Sequence, residues 1–411
     1  MKGDFIMETP KNEIQKIDKL ISLLQEQISK PKESPISLFS INSAISALVP
    51  KVKSAVSEIK ELDKTLIEIS KSSNITKNEL KQLGISAYDT ANNYGKTADN
   101  YLSSIKNISQ SGTYGKKSEA MAEQSLLAQA AGNMSQEIAD KYIIATNAAY
   151  KFNGVSEKIN AVLDGQNSIS IKNHIAFENI ATAMENAASA ASGYNVKVED
   201  LSAIIGTIEA ITGSGGRETG SGIKFILDSL QNINSDKITN TLNKANASMT
   251  EMANGTEKLR NPVSILKDLA LTFNNLDNSN PLKTDILNNI AGTNHSEKLK
   301  ALLQNMDIFD KMLYDYSNGT GSALEEANKN AETLAGNLNT LSNNWTGLIN
   351  SVINTDELKT GINLLNSLVQ GTSKLLDITG SFGITGLGAG LLAGIKNVGR
   401  DKMFSPILLL F

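Results

Sequence analysis

The sequence predicts an all-α protein, an elongated multi-helix chain with amphipathic, coiled-coil-like N-terminal helices and a helical core. Apolar residues recur at three- and four-residue steps along most of it, the spacing of one helix face. Aromatic residues make up only 5% of the chain, which suits small-residue helix packing and not a β-sandwich. Seven prolines in 411 residues leave long stretches free to stay helical. Three parts are expected: N-terminal amphipathic helices over 1–72, a helical core over 73–355, and a Gly-rich apolar segment over 356–411.

Residues 11–30 set Ile14, Ile17, Leu20, Ile21, Leu24 and Ile28 on one stripe, which Pro31 and Pro35 end. After Pro50 the residues Val52, Val56, Ile59, Leu62, Leu66 and Ile69 are spaced 4-3-3-4-3. That is close to a heptad seam, so the segment can pair with itself or a neighbouring helix. Thr76 and Glu79 stand in capping-box spacing at a helix start. The stripe from Leu80 through Leu83, Ala87, Ala91, Tyr94, Ala98, Tyr101 and Ile105 then reads as one continuous helix. Gly112 to Gly115 punctuates, and residues 117–192 are nearly continuous Ala-rich helix former, with breaks expected near Gly132 and from Gly154 to Ser168.

The stretch ITGSGGRETGSGIKFILDSL, residues 211–230, packs five glycines into residues 213–222. A phosphate-binding loop would need a strand before it and a Lys-Ser/Thr pair after its last glycine. Here Ser221 and Gly222 follow Gly220, and Leu201, Ile204, Ile205, Ile208 and Ile211 precede the loop at helical spacing. The dinucleotide pattern counted from Gly213 ends on Glu218. The glycines are therefore expected to turn the chain so that helices over 201–211 and 218–232 pack through Ile204, Ile208, Phe225, Ile226 and Leu230.

Residues 233–258 read as irregular, with a short hairpin around Asn254 and Gly255. Helix resumes at Pro262, a residue suited to a first helical turn, and Val263, Leu266, Leu269, Ala270 and Phe273 keep the stripe. Two more helical patterns cover 283–304 and 322–353, the second holding the only tryptophan, Trp345.

Little here supports catalysis, and no enzymatic activity, metal or cofactor is expected. The two histidines, His174 and His295, lie in different segments and are expected on helix surfaces or boundaries. His174 and Glu178, one helical turn apart, would supply two ligands where zinc needs three or four. No GxSxG elbow and no HExxH occurs. Glu325 and Glu326 are adjacent and expected to diverge on a solvated face. With no cysteine, disulfides are excluded and the compartment is left open. A net charge of −4 gives no general attraction to nucleic acid. The opening MKGDFIMETPKNEI lacks the apolar core of a secretory signal, so signal-directed export is not expected.

Residues 378–395, ITGSFGITGLGAGLLAGI, carry no charge over 18 positions, the lower limit of a membrane span. Gly386, Gly390 and Gly394 repeat at GxxxG spacing. The residues that would meet lipid are Ile378, Phe382, Ile384, Leu387, Gly390, Leu391, Leu392, Gly394 and Ile395. Six glycines also allow the reading of an apolar hinge. The apolar end SPILLLF reads as a truncation.

Several motifs in order resemble the core of bacteriophage tail tape measure proteins, the minor tail family of phages and prophages of low-GC Gram-positive bacteria. They are TLIEISKSSNITKNEL, YGKTADNYLSSI and AEQSLLAQAAGNM within 65–152, then VEDLSAIIG followed by GRETGSGIKFILDSL within 198–230. LRNPVSILKDLA at 259–270, NIAGTNHSEKLKALLQN at 289–305 and LAGNLNTLSNNWTGLINSVI at 334–353 complete the set. The likeness spans roughly residues 60–355. It implies a non-enzymatic helical protein in the tail tube lumen that sets tail length during assembly and leaves ahead of the DNA. Implied partners are the tail tube protein, tail assembly chaperones and baseplate or distal tail proteins, with self-association and, on release, the host membrane. Its implied locations are the virion and, during assembly, the host cytoplasm. Family members usually run longer, so the chain is expected to be an N-terminal portion or a shortened gene. A membrane-active, pore-forming-like helical protein is the alternative.

Overall fold

The computed structural model describes residues 57–347 apart from positions 74, 254, 334, 335, 337, 338, 341 and 345. The stripe from Ile14 to Ile28, the Val52 and Val56 end of the heptad seam, Trp345 and the 378–395 stretch lie outside the described residues. The chain divides into two compact units, one of Met1–Lys64 with Leu341–Phe411 and one of Thr65–Thr340. Within the first, the Thr346 hydroxyl donates to the Glu58 carboxylate at 2.6 Å.

The described residues are all-α except for one hairpin, as the periodicity requires. Helix α1 is described over 57–72, and the seam residues Ile59, Leu62, Leu66 and Ile69 are buried. Helix α2, Lys77–Asn92, opens on the expected capping box. The Thr76 N–H donates to Glu79 at 2.9 Å and the Glu79 N–H returns to Thr76 Oγ1 at 3.3 Å. The Thr76 N–H bond, with the Thr76 hydroxyl donating to the same carboxylate at 2.7 Å, favours the ionised form and holds Glu79 below its ordinary pKa.

The expected continuous helix from Leu80 to Ile105 is interrupted. A turn through Gly95 (φ 60°) separates α2 from α3, Ala98–Gln110, which has its own capping box between Thr97 and Asn100. The Ala-rich region forms α4 (Lys116–Gly132), α5 (Gln136–Tyr150), α6 (Ser156–Asn173) and α7 (Phe177–Gly193). The break expected from Gly154 to Ser168 is corrected, since α6 runs through most of it. Gly165 sits in α6 because it packs there: a Cβ would stand 2.5 Å from the Tyr316 ring. The stop comes instead at His174, in the left-handed region at φ 55°.

Helices α8 (Val198–Thr212), α9 (Gly216–Leu230) and α10 (Asp236–Lys244) follow. The short α10, capped by Ser235, lies in the region expected to be irregular. The hairpin is present as β1 (Thr250–Ala253) and β2 (Thr256–Leu259), antiparallel and turning at Gly255 (φ 74°). Then come α11 (Pro262–Asn275), α12 (Pro281–Gln304), α13 (Met306–Ser317) and α14 (Ser322–Ala331). Asn261 caps α11 by accepting from the Val263 N–H at 2.8 Å, with Pro262 in the first turn as expected. Helix α13 was not anticipated, and α12 is bent at Gly292 (φ 62°, ψ 175°).

One regularity repeats at an offset of 100 residues. Helices α2, α3, α4 and α5 begin at Lys77, Ala98, Lys116 and Gln136, and α7, α8, α9 and α10 begin at Phe177, Val198, Gly216 and Asp236, each 100 residues later. The joints repeat with the helices. Lys96 N–H bonds Ala91 O as Val196 N–H bonds Ala191 O. Gly95 and Asn195 are both left-handed, Gly115 and Gly215 both precede a helix at positive φ, and Ser135 and Ser235 cap Ile138 and Ile238 alike. Buried positions follow the same offset, with Ile59 and Ile159, Ile69 and Ile169, Ile105 and Ile205, and Ile108 and Ile208 in corresponding places. The packing does not repeat, because α7 lies against both α5 and α9 whereas α2 lies mainly against α3.

Removing one joint tests its local contribution. Thr97→Ala deletes a side-chain cap and should cost about 1 kcal/mol in urea denaturation, with Thr97→Ser close to wild type.

Candidate functional site

The glycine-rich stretch is the densest feature of the core. Helix α8 ends at Thr212, Gly213 takes the left-handed conformation (φ 57°), and its N–H donates to Glu209 O at 2.9 Å. Gly215 (φ 86°) leads directly into α9, so the connection is only Gly213, Ser214 and Gly215. A helix, not a strand, precedes the turn.

The remaining glycines lie inside α9, which is why it starts at Gly216 and not near residue 218. Gly216 and Gly220, one turn apart, face α7. A Cβ at Gly216 would stand 2.1 Å from the Asn179 carbonyl oxygen, and one at Gly220 2.6 Å from that of Ala183. Residues with side chains at those two positions would push the helices apart. Beside this contact the Glu209 side chain is buried and accepts from Thr219 Oγ1 and from Asn179 Nδ2, the latter at 2.9 Å. One carboxylate thus ties α8, α9 and α7 together.

Ile204, Ile208, Ile226 and Leu230 are buried as expected, joined by Ile223 and Leu227. Phe225 is a correction, being 45% exposed. Helix α9 directs the stripe Ile223, Ile226, Leu227 and Leu230 inward, and at about 100° per residue Phe225 falls to the side of it.

That side meets α12. The Phe225 and His295 rings lie 5.4 Å apart, and a Cβ at Gly222 would stand 2.5 Å from Lys298 Cδ and 3.2 Å from His295 Nδ1. Lys298 is buried, and its ammonium lies 3.8 Å from the exposed Glu218 carboxylate. His295 is half-buried in the first turn of α12 after the bend at Gly292, and its Nδ1 is buried without a hydrogen-bond partner. Burial and the Lys298 charge lower its pKa, and Glu218 partly opposes them.

The other candidate pairs are not assembled for chemistry. His174 follows α6 while Glu178 lies in the first turn of α7, so the one-helix His/Glu face expected from their spacing is absent. Glu325 and Glu326 do not diverge, since both reach Lys329, at 2.9 and 3.4 Å, four and three residues on. Among the described residues, no group of three or more His, Cys, Asp or Glu side chains could hold a metal ion. Ile378, Phe382, Ile384, Leu387, Gly390, Leu391, Leu392, Gly394 and Ile395 lie outside the described residues. No described helix is long and apolar enough to cross a membrane. The arrangement around α9 binds helices to one another. A signal for it stood in the sequence, Gly216 and Gly220 four apart opposite the alanines of 181–191.

Residues 88–292, which contain this junction, match the family model of phage-related minor tail proteins. That match supports a phage minor tail protein. It likewise supports a structural role in the phage tail. No solved structure matches the chain.

If the glycines serve packing, Gly216→Ala and Gly220→Ala should each cost about 1–3 kcal/mol in urea denaturation. The exposed Ser221→Ala should stay within about 0.5 kcal/mol of wild type. Calorimetric titration should find no saturable ATP or GTP binding. Binding that Arg217→Ala abolishes would overturn the packing account.

Proposed function

We propose that this protein is a tail tape measure, a non-enzymatic ruler lying in the tail tube lumen that sets tail length during assembly and leaves ahead of the DNA. The observation that carries this reading is the match of residues 88–292 to phage-related minor tail proteins. The tape-measure motifs in family order make it specific. The physics of the helix suits the role, because a helix advances about 1.5 Å per residue and 411 residues could reach about 620 Å if continuous. The proposed partners are the tube protein, the tail assembly chaperones, the baseplate or distal tail proteins, and further copies of the chain.

The test is tail length measured by electron microscopy. In-frame deletions in the lumen-spanning region should shorten tails in proportion, by at most about 1.5 Å per residue removed. Unchanged length across several viable deletions would sink the ruler.

Residues 378–395 add a second element to the proposal, carried by 18 uncharged positions and the basic flank of Lys396, Arg400 and Lys402. After release they would enter a bilayer, the basic flank meeting anionic headgroups. Leu391→Asp in the full chain should penalise insertion by about 2.5–3.5 kcal/mol if the position lies at mid-bilayer. Liposome flotation reads this, and equal flotation of wild type and variant, or none of either, would leave the segment a glycine hinge.

A further inference from the structure

We propose that the contact between α9 and α12 is an acid-sensitive latch, in which His295, beside the bend at Gly292, supports the contact while its ring is neutral and weakens it when protonated. The latch has three parts: a bend, a ring across it, and a nitrogen with nowhere to place a charge.

The bend divides α12 in two. Gly292 has φ 62° and ψ 175°, a conformation readily open only to glycine. Before it, Asn289 Nδ2 donates to Thr241 Oγ1 of α10 at 2.8 Å, and the Lys283 ammonium lies 4.9 Å from the centre of the Phe273 ring of α11. After it, Leu299, Leu302 and Leu303 are buried on the part of α12 that carries His295. Helix α11 holds both segments, since Asn274 Nδ2 also donates to Leu303 O at 2.9 Å, and a single glycine joins them.

Phe225 of α9 spans the joint. Its ring edge lies 3.6 Å from the point where a Cβ of Gly292 would stand, and its centre is 5.4 Å from the His295 ring. His295 Nδ1, buried with no hydrogen-bond partner, lies on the Gly222 side of the same contact. The charged groups facing the ring are Lys298, on its own helix, and Glu218, on α9. Glu218 is already drawn to the Lys298 ammonium and is 73% exposed, so it is a weak counter-charge for a second cation. A protonated ring would therefore sit beside an apolar face and a buried ammonium. Separating α9 from the second segment of α12 by rotation at Gly292 would return it to water.

The direction with pH follows. A histidine whose pKa is depressed in the closed state takes up its proton more readily in the open one, so the closed state is favoured fully above the ordinary histidine range, about 6.5. It loses that advantage as pH falls through and below it.

The chain has two histidines, which makes the test direct. In the full chain labelled at the imidazole carbons, NMR titration should show His295 clearly below the ordinary histidine range, about 6.5, with His174→Gln assigning the signals. Hydrogen exchange, corrected for the intrinsic rate, should show protection over 293–304 falling between pH 7.5 and 5 in wild type. His295→Phe, which keeps a ring and cannot be protonated, should remove that dependence, and His295→Gln serves as a second non-titrating variant. His295 titrating at or above the ordinary histidine range of about 6.5, or the same loss of protection in both variants, would overturn the latch.

Discussion

Two helices can approach only as closely as the side chains between them permit, and the core of Thr65–Thr340 depends on positions where almost none intervene. Helix α7 is buried along Ala181, Ala183, Ala187, Ala188 and Ala191, and α9 meets it with Gly216 and Gly220. An alanine methyl contributes less than about 1 kcal/mol by transfer. Stability here comes from many short backbone contacts, each a small gain in dispersion. Glycine within a helix costs roughly 0.5–1 kcal/mol against alanine in isolation. At Gly216 and Gly220 that cost is the smaller effect, because a methyl group would have to displace a carbonyl oxygen of the neighbouring helix.

Smooth small-residue faces can slide, so something else must fix which turn of one helix meets which turn of the next. Buried polar groups supply that constraint. Asp140 of α5 accepts from Ser125 of α4 at 2.6 Å and from Asn107 of α3 at 2.8 Å. Gln166 of α6 accepts from the Tyr142 hydroxyl at 2.7 Å and donates to Ser202 of α8 at 2.8 Å. Asp164 accepts from the N–H groups of Gly321 and Ala323 at 2.8 and 3.0 Å, and so caps α14 from a helix more than 150 residues away in sequence. A one-turn slip would leave the Asp140 and Gln166 side chains buried and unpaired, a cost of about 1–3 kcal/mol apiece. Apolar packing supplies the attraction, and these bonds select the register.

What was legible in the sequence was what is local. The Thr76 and Glu79 box, the Pro262 start and the Gly255 hairpin involve residues within a few positions of each other, and each stands where spacing placed it. Glycine was ambiguous because its two uses look alike in sequence. Gly213 and Gly215 turn the chain, while Gly165, Gly216 and Gly220 are helical and are required by a neighbour distant in sequence. The expected break after Gly154 and the expected start of α9 failed for that reason. Phe225 failed differently: hydrophobicity marked it as core, but its angle around α9 placed it on the side facing α12. The His295 site could not be read at all, since it needs α9 and α12 brought together.

The same division between local and distant bonds bears on how a compact helical unit could serve as a ruler. Caps from Thr76, Thr97, Ser135 and Ser235 reach only three residues and survive if the helices separate. The Glu209, Asp140 and Asp164 contacts do not, because each spans different helices. The joints at Asn133 and His174 each turn at one left-handed residue, and those after α5 and α8 at a few positive-φ residues (Lys151, Asn153 and Gly154; Gly213 and Gly215), so swinging a helix out changes a few dihedral angles and leaves the helices intact. Opening would convert stacked helices of about 22 Å, such as the 15-residue α9, into lengths that add end to end. A unit that stays closed would add little length however many residues it holds. The rise per residue within 88–292, compared with that of the flanking segments, therefore reports whether this core is extended in the tail or carried as a folded body.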